Sequence, residues 1–225
     1  MFLAASQIAA QQYLLRMIPR GYWYWLSGTC STPDELKKRA EKYAEFYGTN
    51  LSPSKRAYRK SKGLASALMV ACPLPTEVME DGYQWFLIAT DGDGVIRDNT
   101  KLKDARVNAG RIKWGEDYVL YEAARPREHG GGTHWSWFFQ PQKQKELDFY
   151  IGKLLKQSPE ELPNFFAAQL RRPMHSGIRS FMTRLHRRAH QNHVKMYPNR
   201  EWTGRDPLKP LPILNSYRKS TQSTV

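Results

Sequence analysis

Two nearly uninterrupted apolar runs, Leu64 to Cys72 and Tyr83 to Thr90, constrain this chain most. Both have strand length. Pro73, Pro75 and an acidic turn around Glu80, Asp81 and Gly82 separate them, and Asp91-Gly92-Asp93-Gly94 ends the second. They read as buried strands. Three more strands are expected. Gly21 to Thr29 alternates Trp23 and Trp25 on one face with Tyr22 and Tyr24 on the other, and Tyr118 to Ala124 and Thr133 to Phe139 flank the loop Pro126 to Gly132.

Helical signals surround these strands. Phe2, Leu3, Ile8, Ala9, Leu14 and Leu15 recur loosely at helical spacing, so the N-terminus reads as a docking helix. The clearest element is a helix over 33 to 47. Thr32 caps it, Pro33 suits its first position, Glu35 completes a capping box, and Gly48 supplies the stop. A short basic helix follows over 55 to 62, and later helices are expected at 143 to 156, 162 to 170 and 175 to 193. The fold class is therefore α+β, a mainly antiparallel sheet of about five strands with helices packed on one side and a basic helical C-terminal region. We expect an α+β core domain over 1–170 with its N-terminal docking helix, then a basic helix and an extended Pro-containing tail over 171–225.

Charge narrows the function. The 225 residues hold 35 Lys and Arg against 21 Asp and Glu, a formal charge of +14. From Arg171 onward, 12 Lys and Arg face 2 acids. Such a balance favours a polyanionic partner, while 40% hydrophobic residues exclude wholesale disorder. Cys30 and Cys72 are too few and too far apart for a disulfide scaffold or a close zinc motif, so they read as buried thiols. The start has no secretory pattern and no run approaches a membrane span, which points to a cytoplasmic protein with no membrane partner.

Two basic clusters carry the functional expectation. Lys55, Arg56, Arg59, Lys60 and Lys62 form the first, with no acid between them. The second comprises Arg171, Arg172, Arg179, Arg184, Arg187, Arg188 and Lys195; the residues from Arg179 to Arg188 share a helix with the apolar stripe Ile178, Phe181, Met182, Leu185 and Ala189. Arginine forks engage phosphates bidentately, and phosphate contacts position a nucleic acid without reading its sequence. His175, His186, His190 and His193 lie in the same region; the spacing of His186 and His190 would suit a shared metal, but polar, phosphate-facing side chains are the expectation.

The loop of Arg125, Arg127, His129, three glycines and His134 offers a flexible hairpin or a groove-entering element. Trp135 and Trp137 share one face of the following strand and are candidate stacking platforms for bases. The resulting expectation is a non-catalytic nucleic-acid-binding protein, DNA or RNA, without cofactor or metal. It would serve in a larger nucleoprotein complex through the N-terminal helix and the tail. One alternative is a metal-dependent nuclease or strand-transfer enzyme using the His129/His134 loop; another is a scaffold subunit binding an acidic protein.

Overall fold

The computed structural model describes residues 1–125, 127–202 and 204. The expected Pro-containing tail falls, from residue 205 onward, outside the described residues. The chain divides into two compact units, the first ending at Ile112 and the second starting at Lys113. The class is α+β, but the strands form two sheets, one of five strands and one of three.

In the first unit the sheet contains β1 (Phe2–Leu3), β2 (Tyr24–Cys30), β3 (Ala67–Pro73), β4 (Tyr83–Ala89) and β5 (Lys103–Asp104), in the spatial order β1-β3-β4-β2-β5. The apolar runs are β3 and β4, paired antiparallel from Ala67↔Ala89 to Pro73↔Tyr83, and β4 pairs antiparallel with β2 on its other side. Both strands are buried on both faces because the sheet is covered on both. On one face Ala67, Met69, Ala71, Trp85 and Leu87 meet Leu36, Ala40, Tyr43 and Tyr47 of α2 (Pro33–Tyr47). On the other, Leu68, Val70, Phe86 and Ile88 are equally buried, and α1 (Gln7–Met17) packs against β3. Gly28 is required in β2, because a Cβ there would lie 2.6 Å from the Trp85 ring opposite it.

Local chemistry explains the ends of these elements. Thr32 Oγ1 accepts the Glu35 amide at 3.2 Å, while the Glu35 carboxylate reaches back to the Ser31 amide at 2.7 Å. Gly48 closes α2 with φ +65°, a left-handed cap. The N-terminus corrects the sequence reading: Phe2 and Leu3 form an edge strand parallel to Val70 and Ala71, and the helix starts only after Ser6, whose Oγ accepts the Ala9 amide. Their apolar character reflects sheet pairing. Both cysteines are free and buried, and burial pushes the Cys72 thiol up to about 12.

The second unit builds a three-stranded sheet from β6 (Ile112–Trp114), β7 (Tyr118–Ala124) and β8 (Thr133–Phe139), with β7 in the middle. Three helices follow: α5 (Pro141–Gln157), α6 (Leu162–Gln169) and α7 (Ser176–Met196), numbered after the basic α3 (Pro53–Ser61) and the short α4 (Val95–Asn99) of the first unit. The apolar stripe of α7 is buried as its spacing predicts, with Ile178, Phe181, Met182, Leu185 and Ala189 all inaccessible or nearly so. It packs on β8 and α5. At Gly177 the approach to β8 is so close that a Cβ would fall 2.4 Å from the Phe138 ring and 2.6 Å from the Trp137 carbonyl oxygen. The helix read as the start of a separate basic region is thus an integral layer of the second unit.

Candidate nucleic-acid interface

A basic residue can bind a phosphate only if its charge is not already committed within the fold. The two clusters differ on this point. In the first, Ser52 caps α3 through the Lys55 amide, and three of the five cations then turn back onto main chain. Arg56 donates to the Leu51 carbonyl, Arg59 donates twice to the Ala65 carbonyl at 3.1 and 3.0 Å, and Lys60 donates to the Arg20 carbonyl at 2.9 Å. Lys60 also sits 5.1 Å from the Tyr22 ring centre, and Lys62 5.8 Å from that of Tyr58. Lys55 and Lys62 are exposed. These cations chiefly tie loop carbonyls to the end of a short helix.

The second cluster is divided along its length. Arg172 precedes α7 and pairs with Asp117 at 2.9 Å, with the Tyr118 hydroxyl at 3.5 Å; burial opposes its charge, but these partners hold the guanidinium above its ordinary pKa. Asp117 is shared with Lys143 at 3.2 Å, so it ties the start of β7 to α5 and to the segment before α7. Arg188 pairs with Asp148 of α5. Arg171 is exposed and Arg179 half-buried.

What remains is the outer face of α7. Arg184, Arg187, Gln191 and Lys195 are all exposed, at positions that share one side of the helix over about 16 Å. From Ser176 to Met196 there is no Asp or Glu. The opposite side is fixed in the core, so the cations are held at a defined spacing. The Arg188–Asp148 pair and the 2.8 Å hydrogen bond from the Tyr197 hydroxyl to the Leu155 carbonyl show that α5 runs alongside α7 in the same direction. The outer face of α5 therefore extends the same surface. It carries Lys145, Phe149, Lys153 and Lys156, all exposed and all opposite the buried Leu147, Ile151, Leu154 and Leu155. Sequence reasoning read only the apolar side of this helix; the 4, 4 and 3 residue steps from Lys145 to Lys156 were the available signal.

No protein-family model, no curated protein and no solved structure matches the chain.

The other sequence candidates fall into place by burial. Trp137 is wholly inaccessible and meets Trp114 edge to face at 6.1 Å, so it is core and cannot stack a base; Trp135 on the same strand is half-buried. Ser136, on the opposite face, is equally inaccessible, so β8 is covered on both sides at this point. His186 and His193 are also buried, with His186 3.4 Å from the Phe166 ring centre and His193 5.3 Å from both Tyr197 and Trp202. They pack rather than face phosphate. Burial pushes His175 down to about 4, so it is neutral at physiological pH. His134 Nε2 lies 3.3 Å from Ser176 Oγ, which in turn lies 2.7 Å from Ser136 Oγ, and Ser136 accepts the Gly177 amide at 3.0 Å. These bonds anchor the first turn of α7 to β8.

The glycine loop is a hairpin connection. Arg125 donates its amide to the Gly132 carbonyl at 2.9 Å, a single turn covers Arg127–His129, and Gly130, Gly131 and Gly132 all have positive φ, at 92°, 64° and 73°. The expectation for the side chain of His129 lies outside the described residues. Arg125 and Arg127 are exposed beside this turn.

A further arginine cluster lies in the first unit. Arg106 forms a two-pronged pair with Asp104, at 2.7 Å for its shortest contact, lies 4.3 Å from the Trp23 ring centre and donates to the Tyr24 hydroxyl; Arg97 stacks 3.4 Å over Tyr24. The Arg106 hydrogen bonds hold the Asp104 carboxyl below its ordinary range. Its charge is neutralised locally, so this cluster buttresses the sheet edge at β5.

Proposed function

We propose that this chain is a nucleic-acid-binding protein that holds phosphates on the outer face of α7 and α5. The observation that carries the reading is α7 itself: 21 residues with no acid, anchored by a buried apolar side and presenting Arg184, Arg187 and Lys195 at fixed spacing. Rigid presentation lowers the ordering cost of each contact, and arginine forks match phosphate oxygens in pairs. Gln191 in the same row supplies an amide able to pair with a base edge. The Lys55 to Lys62 helix contributes at most Lys55 and Lys62 to such binding, because its other cations already serve main-chain carbonyls.

An acidic protein would meet the same surface, and salt dependence separates the two. Binding to DNA and RNA oligomers across a range of salt should give a linear log–log plot. Changing Arg184, Arg187 and Lys195 together to Gln should reduce its slope by roughly 2–3, at about 0.7–0.9 per phosphate contact. Circular dichroism should show an intact fold, because all three side chains are exposed. An unchanged slope in the folded variant would transfer the interface elsewhere, and tight binding to an acidic polypeptide with none to nucleic acid would favour the scaffold reading.

A further inference from the structure

Phe149 is 76% exposed, the most exposed large hydrophobic side chain among the described residues. Isolated apolar residues on a surface are ordinary, so exposure alone says little. Its surroundings are more specific. Lys145 and Lys153 stand one helical turn to either side, Lys156 lies beyond, and no other large apolar residue shares this row. Gly152 follows Phe149 by three residues, on the same side of the helix. A glycine in a helix interior is destabilising by about 0.5–1 kcal/mol relative to alanine. Packing does not demand it here: a Cβ at Gly152 would meet nothing within 4 Å. A longer side chain at this position would stand one turn from Phe149 on the same side of the helix.

We infer that Phe149 stacks an unpaired base while Lys145, Lys153 and Lys156 hold the flanking phosphates, so that the nucleic acid bound by this unit is single-stranded. The inference rests on the proposed function and specifies its ligand. Charge complementarity selects the occupant. An apolar protein groove would bury three lysines against nonpolar surface, at a high desolvation cost, whereas a single strand offers π-faces and phosphates in alternation. A duplex keeps its bases stacked internally and presents nothing for an exposed ring to cover.

The test uses the full chain with oligo(dT), oligo(rU) and a duplex of matching length. Phe149→Leu keeps the apolar bulk and removes the ring. It should weaken both single strands by about 5- to 150-fold, the range of one lost base stack, and leave duplex binding and the salt slope unchanged. Phe149→Tyr should retain wild-type affinity. Gly152→Gln should weaken single-strand binding without lowering the melting temperature, since a long side chain one turn from Phe149 competes with a base for the ring and improves helix propensity. A 2-aminopurine placed in the oligo(dT) should be quenched by the wild type and not by Phe149→Leu. Wild-type single-strand affinity in Phe149→Leu, with the α7 variant still losing salt slope, would overturn the stacking and leave the phosphate surface standing. Failure of the wild type to bind any strand would overturn both. A Phe149→Leu protein that dissociates from oligomer to monomer without losing strand affinity would show that the ring joins two copies of the chain.

Discussion

The helices α3 and α7 look alike in charge and differ in what holds them in place. Both are basic and acid-free; α3 opens on Pro53, and Pro173 precedes α7 by three residues. In α3, however, no residue is buried, and Arg56, Arg59 and Lys60 bend back to carbonyls of neighbouring segments. A short helix with no core face is held in place by its own cations. In α7, eight residues are buried, so the helix is anchored by its core side while Arg184, Arg187 and Lys195 remain exposed. Charge density alone does not distinguish a binding face from a clamp. The apolar side of the element does.

The largest expected effect breaks this comparison directly. Lys55→Gln with Lys62→Gln should reduce the salt slope by well under half the loss caused by changing Arg184, Arg187 and Lys195, although both sets remove exposed cations. Equal losses per charge would show that α3 contacts phosphate as α7 does.

A second difference is pH dependence, which belongs to the α7 side. His175 titrates at about 4 in the folded chain because burial disfavours its charged form, and near 6.5 when unfolded. The unfolded state therefore binds the proton more readily, so this contribution is fully present above pH 6.5 and is lost as pH falls toward 4. The loss should be on the order of 3 kcal/mol by pH 4. Urea titrations of wild type and His175→Gln at pH 7 and pH 4.5 measure it. The variant should lose less stability between the two pH values, and parallel losses would remove His175 from the account.

Arg59 should give a smaller effect, confined to stability. Its two hydrogen bonds satisfy the carbonyl of buried Ala65, and Arg59→Leu should cost about 1–3 kcal/mol without moving the salt slope. Loss of nucleic-acid affinity in a variant of unchanged stability would reverse the assignment of α3 as a clamp.

Much of the fold was legible because its signals are local. Thr32, Glu35 and Gly48 mark the ends of α2 within one turn each, and the bounds of β4 and β8 follow from runs bordered by Gly, Asp and Pro, whereas β3 starts three residues inside the apolar run that begins at Leu64 and takes in Pro73. The division into two sheets was not legible, since strand spacing does not say which strands pair across distance. Phe2 and Leu3 show the same limit: two apolar residues fit a helix stripe or an edge strand equally well, and only pairing with Val70 and Ala71 decides. Within the candidate site, Arg184, Arg187 and Lys195 were visible through the apolar stripe opposite them. Alternation groups Trp137 with Trp135 but does not show that both faces of β8 are covered at Ser136 and Trp137. The commitments of Arg59, Arg172 and Arg188 depend on partners between 6 and 55 residues away and left no mark in sequence spacing.

Lysine-reactivity footprinting tests the central claim most directly, because it reads both surfaces in one sample with the fold intact. The chain is acetylated briefly with and without a bound oligonucleotide, and each lysine is quantified by mass spectrometry. Lys195, Lys153 and Lys156 should be protected by the oligonucleotide, while Lys60 keeps the same reactivity in both samples because its ammonium is already bound to the Arg20 carbonyl. Protection centred on Lys55 and Lys62, with Lys195, Lys153 and Lys156 unchanged, would contradict the assignment of the outer face of α7 and α5 as the interface.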